Sequence, residues 1–330
     1  MTRAQARRRV LLGLCALALP ARSFGASAPP RPRLGFLGLA GSASPASRAR
    51  MLAFEDTLRD EGYAPGAGVD IEYRWAEGKY DRLGPLAGEL VALKPDLLVT
   101  YGTAGARAAM QATSTIPIVV AAAGDAIATD LNLRGGRLGR NVTGSIVLSA
   151  ELYARRIGLL HEAFPRLQRI AVLAYRGNPA NAAAFLAMQR AAESSHVALR
   201  SYAVGSPEEL RPAFAAMAAD RAEALATSED PVLTASADAI ADLALAHRLP
   251  SIGPVEFAEA GGLIGYGANS LDLYRRAARV AARILKGARP AYLPLETVKN
   301  FELIVNRKSE AALGLALPPS LLERADDSID

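Results

Sequence analysis

From Leu34 onward the chain alternates short apolar runs with longer stretches in which apolar residues return every three or four positions. The runs Leu34 to Leu39, Val69 to Tyr73, Asp96 to Thr100, Ile116 to Ala121, Arg169 to Ala174, Val197 to Val204, Ala222 to Ala226, Leu263 to Tyr266 and Phe301 to Val305 predict strands. They are rich in Val, Ile and Leu with little alternation, as strands buried on both faces are. Between them the helical period predicts helices at Ala46 to Glu61, Asp81 to Leu93, Ala104 to Ala112, Ala150 to Ala163, Ala180 to Ser194, Glu208 to Met217, Val232 to His247 and Leu271 to Lys286. Alternating β and α units of this length argue for parallel sheets covered by helices on both faces. The alternation runs in two series. The first ends around the Gly-rich stretch Arg134 to Arg140 and the second opens at Arg169, which predicts two similar α/β lobes rather than one long sheet.

The segment before this alternation is built differently. Arg3 and Arg7 to Arg9 precede the apolar run Val10 to Leu19, and small residues then lead to Ala26-Ser27-Ala28. That is the layout of a secretory signal, and residues 1–28 are read as one. The run is about half of what a membrane-spanning helix needs. Cleavage after Ala28 fits the small-x-small rule, and cleavage after Gly25 avoids Pro29 next to the scissile bond. Arg7-Arg8-Arg9 loosely resembles a twin-arginine signal, so both export routes stay open. The formal net charge of the 330 residues is +5 and the sequence pI is about 9.4. Arg3, Arg7, Arg8, Arg9 and Arg22 supply all of that excess, and removing them leaves 33 basic residues against 33 acidic ones. A nucleic-acid partner therefore loses its main argument. The only cysteine, Cys15, lies in the same segment, so the rest can form no disulfide and no thiolate metal site.

The loops after the predicted strands carry the chemistry. Ser44-Pro45, Asn178-Pro179, Ser206-Pro207, Asp230-Pro231 and Gly253-Pro254 place a small or capping residue before a proline suited to the first helical position. Ser206 with Glu209 and Ser320 with Glu323 have capping-box spacing. In a parallel α/β sheet these helices begin at the carboxyl edge, where ligands bind and where free amides favour an anion. Two lobes facing each other across those edges would line a cleft with residues 41–44, 101–104, 124–125, 175–178, 228–230 and 266–267, whose hydroxyls, acids and aromatics suit a small polar molecule. Catalytic and cofactor motifs are missing from the sequence. His161, His196 and His247 are too far apart in the pattern to read as a metal cluster. Asn141-Val142-Thr143 fits a glycosylation sequon, with a simple turn as the alternative.

At this point the chain resembles the ABC-transporter substrate-binding proteins of the tryptophan/tyrosine-binding type, which have the type I periplasmic-binding fold. The resemblance rests on Gly139-Arg140-Asn141-Val142-Thr143-Gly144, Glu256 to Leu263, Tyr266-Gly267-Ala268-Asn269, Asp272 to Ala278, Ile284 to Ala288, and Leu313-Gly314-Leu315 through Pro318 to Leu322. The chain departs from the family pattern at Gly124-Asp125-Ala126 and at Ala150 to Arg156. The resemblance implies two doubly wound parallel-sheet lobes joined by a crossing-strand hinge, with residues 33–146 plus about 271–296 in one and 147–270 plus about 297–330 in the other. It further implies a periplasmic monomer that passes a small ligand to an ABC permease of the inner membrane, with no cofactor, no metal and no nucleic acid. Ser42, Ser44, Thr103 and the amide of Ala104 are the candidates for a ligand carboxylate, and Gly102 is a ligand-binding candidate in the same loop as Thr103. Asp230, with Glu256 as second choice, is the candidate for an ammonium, and Tyr101, Tyr175 and Tyr266 are candidate walls. Asp125 and Asn178 complete the set from the same loops. Aromatics are only 6% of the chain, which places amino acids and other small carboxylates ahead of sugars. Two alternatives remain: a receptor for a membrane sensor kinase, and an exported α/β enzyme using a pair such as Asp125 and Asp230.

Overall fold

The computed structural model describes residues 30–124, 127, 141–193 and 195–330. Its first lobe begins with β1 (Arg33–Gly38), α1 (Pro45–Asp60), β2 (Asp70–Trp75), α2 (Leu83–Ala92), β3 (Leu97–Thr100), α3 (Gly102–Ala112), β4 (Ile118–Gly124) and β5 (Val142–Val147). The chain then builds a second lobe from α4 (Ser149–Ala163), β6 (Arg169–Tyr175), α5 (Asn181–Glu193), β7 (Ala198–Val204), α6 (Leu210–Ala219), β8 (Ala224–Thr227), α7 (Pro231–Ala235), α8 (Ala237–Ala246), β9 (Ser251–Gly253), α9 (Val255–Glu259) and β10 (Ile264–Gly267). It returns to the first lobe for α10 (Ser270–Leu285) and β11 (Leu295–Thr297). It ends in the second with β12 (Glu302–Asn306), α11 (Arg307–Leu313), α12 (Pro319–Leu322) and β13 (Asp327–Ile329).

Among the described residues the strands form two sheets, ordered β11-β5-β4-β3-β1-β2 and β13-β12-β10-β9-β8-β6-β7. The central strands are buried on both faces, and their successive side chains feed different cores. In β4, Ile118 and Val120 join the α2 and α3 side while Val119 and Ala121 join the α1 and α10 side. In β6, Ile170 and Val172 pack toward α4 and α5, and Leu173 and Tyr175 toward α6 and α8. Helix α10 shows why the helical period was legible. Leu273, Tyr274, Ala277, Ala278, Ala281 and Ala282 share its buried face, and Asn269 caps it by accepting from the Asp272 amide.

The structure corrects the sequence reading in several places. The predicted parallel arrangement holds throughout the first sheet, but β12 runs antiparallel to β10, with Gly267 opposite Glu302. The chain enters β12 from the first lobe, at the carboxyl edge, so it can only run back against β10, while β13 then pairs parallel to it. Strands β5, β9, β11 and β13 were not expected, and the predicted helix Val232 to His247 divides at Ser236 into α7 and α8. Neither capping box forms: Glu209 turns to Arg176 and the Gly205 amide, and Ser320 lies inside α12 rather than before it. Asn141 is no exposed sequon, because it is buried and its side-chain amide donates to the Ile116 carbonyl at 2.9 Å. The Gly-rich stretch Arg134 to Arg140 and residues 1–28 lie outside the described residues.

Gly144 sits in β5 at φ +129°, and a Cβ there would lie 2.0 Å from the Val120 carbonyl oxygen of β4. Backbone cannot move aside as a flexible side chain can. Gly144→Ala should therefore destabilise the first lobe by roughly 3 kcal/mol or more, the range of a strained, overpacked core substitution. Thermal unfolding followed by circular dichroism checks this, and an unchanged melting temperature would contradict it.

Candidate functional site

The carboxyl edges of the two sheets face a cleft of about 880 Å³, counted to its open mouth. Its floor is apolar, with Leu39, Ala122, Val147, Leu152 and Leu273. Two helices begin on it. Helix α3 starts at Gly102, whose φ of +81° suits glycine, and neither α3 nor α4 has a side chain capping its first turn. The leading amides of both helices are therefore left for other acceptors, and the helix dipoles favour negative charge there. Thr103 Oγ1 accepts from the Gly124 amide at 3.0 Å, which leaves its hydroxyl proton to donate. Ser149 also lines the cleft, and its hydroxyl converges on Gly124 with that of Thr103.

The other polar end of the cleft is anionic. Glu229 and Asp230 line it, and no Lys or Arg does among the described residues. Asp230 is buried and heavily solvated by protein: Oδ2 accepts from the Tyr80 hydroxyl at 2.7 Å and the Asn178 amide at 2.9 Å, and Oδ1 from the Val232 amide at 2.8 Å. Burial pushes its carboxyl up to about 6, and the Tyr80, Val232 and Asn178 donors hold it from rising further. Tyr80 belongs to the first lobe and Asp230 to the second, so this bond ties the lobes together. A second tie lies beside it, where the Tyr175 hydroxyl is 3.0 Å from the carbonyls of Gly78 and Gly205 and its ring stacks on Tyr80. Tyr153 accepts from the Glu229 amide at 3.0 Å, leaving its own proton free.

Of the residues singled out in the sequence, Tyr101, Gly102, Thr103, Ala104, Asn178 and Asp230 line this cleft together. Tyr101 does so at the start of α3, its ring packed on Tyr274 and under the Arg50 guanidinium. Others have different placements. Ser42 is exposed in a turn, and Ser44 caps α1 by accepting from the Ser47 amide. Tyr175 supports Tyr80 from behind, and Tyr266 packs on Phe301. Glu256 pairs with Arg50 at 3.2 Å across the lobes and lines a separate groove with Asp238 and Glu259. Asp125 lies outside the described residues. Tyr80, Tyr153 and Ser149 line the cleft without having been singled out, and Glu229 lines it from the expected loop 228–230, where no role had been given to it. Ser149 and Tyr153 carried a local signal, since both lie at the start of an apolar-periodic helix; Tyr80 reaches Asp230 only through tertiary structure. No group of three His, Cys, Asp or Glu side chains among the described residues is placed to hold a metal, and no described helix is long and apolar enough to cross a membrane.

Two parallel-sheet lobes closing on such a cleft are the fold of the type I periplasmic binding proteins. Residues 43–329 match the family described as ABC transporter substrate binding protein, and the chain belongs to that family. It is similar to the tyrosine-binding protein of Clostridioides difficile, with 24% identity over 265 residues, 79% of this chain and 75% of that protein. Among solved structures, the ABC domain in complex with L-Trp from Streptococcus pneumoniae has a TM-score of 0.80 at 23% identity, covering 91% of this chain and 100% of that one. A conserved domain protein from Vibrio cholerae has a TM-score of 0.81 at 24% identity, covering 90% of this chain and 99% of that one.

The Asp230 carboxyl offers a direct check on this geometry. Its folded value near 6 lies above the ordinary 3.8, so between those pH values the folded protein keeps a proton that the unfolded chain releases. Asp230 thus favours folding at low pH and loses that contribution as the pH rises through 6. Tyr80→Phe removes a donor to the ionised form and should raise the Asp230 midpoint further, as read by carboxyl NMR titration. A midpoint that stays or falls would contradict the bond.

Proposed function

We propose that this protein is exported to the periplasm, where as a monomer it holds an α-amino acid or closely related small carboxylate between its lobes and delivers it to an ABC permease of the inner membrane. The observation that carries this reading is the convergence of two uncapped helix starts, α3 and α4, on a cleft whose other polar end is Glu229 and Asp230. A zwitterion needs both. Its carboxylate takes the amides of the first turns and the Thr103 and Ser149 hydroxyls, as anions do at helix N-termini. Its ammonium takes the carboxylates. The side chain falls on the apolar floor of Leu39, Ala122, Leu152 and Leu273. The tyrosine-binding relative and the L-Trp complex named above support an aromatic amino acid.

Capture works by closure. The Tyr80–Asp230 and Tyr175–Gly78 bonds and the Arg50–Glu256 pair all join the lobes in the closed arrangement. A ligand that touches both lobes adds affinity for that arrangement alone and shifts the population toward it. The closed form is then what the permease meets.

A thermal-shift screen of amino acids, organic acids and sugars tests the reading. L-tyrosine or L-tryptophan at about 100 times its dissociation constant should stabilise the protein by about 2.7 kcal/mol, raising the melting temperature by roughly 4 °C for a chain of this size. Native mass spectrometry should show one unchanged ligand per chain. No shift with any carboxylate would contradict the reading, and chemical conversion of the ligand would replace it with an enzyme. The pH dependence follows from Asp230. Lowering the pH from 7 to 5 protonates it and removes negative charge facing the ammonium, so calorimetric affinity should fall by up to about tenfold. Asp230→Asn should flatten that profile.

A further inference from the structure

Arg156 is the largest fully buried side chain among the described residues. It stands on α4, on the same face as the buried Leu152, Tyr153 and Leu160, where the helical period would place an apolar residue. A buried guanidinium is tolerated only when its donors and its charge are matched. Nε donates to the Tyr266 carbonyl at 2.8 Å and Nη1 to the Thr227 carbonyl at 3.4 Å, at the carboxyl ends of β10 and β8. Nη2 donates to Glu229 Oε1. The two carbonyls are neutral, so Glu229 is the group that balances the charge. Only one of its oxygens is engaged. Oε2 has no hydrogen-bond partner among the described residues, and the side chain is 34% exposed, facing the cleft.

We infer that Arg156 is a positioning residue that fixes the Glu229 carboxylate at the cleft wall, and that Glu229, so held, makes the site selective for ligands bearing a protonated amine. This deepens the amino-acid reading above and rests on it. Asp230 is the weaker candidate for that task, since its two oxygens already accept from Tyr80, Asn178 and Val232. Arg156 cancels one of the two negative charges, so the trio carries a single net negative charge, which one ammonium matches. Arg156 itself lies behind Glu229 and does not line the cleft. The arrangement is also rigid: both carbonyls that anchor Arg156 belong to strands of the sheet, so Glu229 is referred to the sheet rather than to its own loop.

The test compares an amino acid with the same molecule lacking its amine. Calorimetry on the full chain would use L-tyrosine against 3-(4-hydroxyphenyl)propanoate, and L-tryptophan against indole-3-propanoate. The unmodified protein should prefer the amino acid by roughly 100-fold or more, as sites built around a specific polar contact do. Glu229→Gln should cut that ratio at least about tenfold while leaving the deaminated ligand nearly unaffected. Arg156→Met should do the same, and Arg156→Lys should restore part of the ratio. If Arg156→Met fails to fold by circular dichroism, Glu229→Gln and Arg156→Lys decide the matter. Equal loss of both ligands in the Arg156 variants would show a merely structural role, and equal binding of both ligands by the unmodified protein would show that Glu229 reads no amine. Binding of neither ligand would instead overturn the amino-acid reading, and this inference with it.

Discussion

Two parallel sheets can present their carboxyl edges to each other only if the chain passes between them, and here it does so three times: between β5 and α4, between β10 and α10, and between β11 and β12. Everything else in the molecule depends on those passages. They put the starts of α3 and α4 beside each other although the two helices lie in different lobes. They force β12 to run against β10. They also bring residues far apart in the chain together at the cleft, as Tyr80 and Asp230 across 150 positions.

The cleft's charges are arranged accordingly. The anion-seeking end uses no Lys or Arg among the described residues, only helix starts and hydroxyls, whose pull is directional and local. The opposite end keeps two carboxylates and hides the balancing guanidinium behind one of them. The lobes themselves differ in sign. Residues 31–147 and 268–297 carry 19 Lys and Arg against 14 Asp and Glu, while residues 148–267 and 298–330 carry 14 against 19. A chain that is formally neutral after its first 28 residues is thus two oppositely charged halves. At physiological salt this attraction is screened beyond about 8 Å, so it acts only between groups that are already near. The short-range ties, Arg50 to Glu256 and Tyr80 to Asp230, join the two lobes directly.

Much of the fold was legible in the sequence because it is local. The central strands are continuous apolar runs and the long helices carry a clean period, as α10 does. What was missed depends on partners. Strands β9, β11 and β13 have three residues each and owe their extended form to the neighbours they pair with. In β5 the run Val-Thr-Gly-Ser-Ile-Val is interrupted by Gly144, whose purpose is the approach of β4 and cannot be read without it. The site divides the same way. The first turn of α3 and the Asp230 cap follow from strand-loop-helix grammar, and the structure places them on the cleft. Ser44 obeys the same grammar yet serves only its own helix. Glu256 is an acid at a helix start as expected, but Arg50 from the other lobe claims it. Arg156 left a trace, an arginine on the apolar face of a helix, whereas the partners that explain it lie 71 to 110 residues away.

The central claim is that the two helix starts and the Glu229–Asp230 wall together form one zwitterion site closed by the lobes. The measurement that addresses it most directly is a crystal structure of the protein with L-tyrosine or L-tryptophan bound. The account predicts a ligand enclosed between the lobes, its carboxylate within hydrogen-bond distance of the first-turn amides of α3 or α4 and its amino group on Glu229. A ligand seated outside the cleft, or one whose carboxylate and amino group are held by other residues, would contradict it.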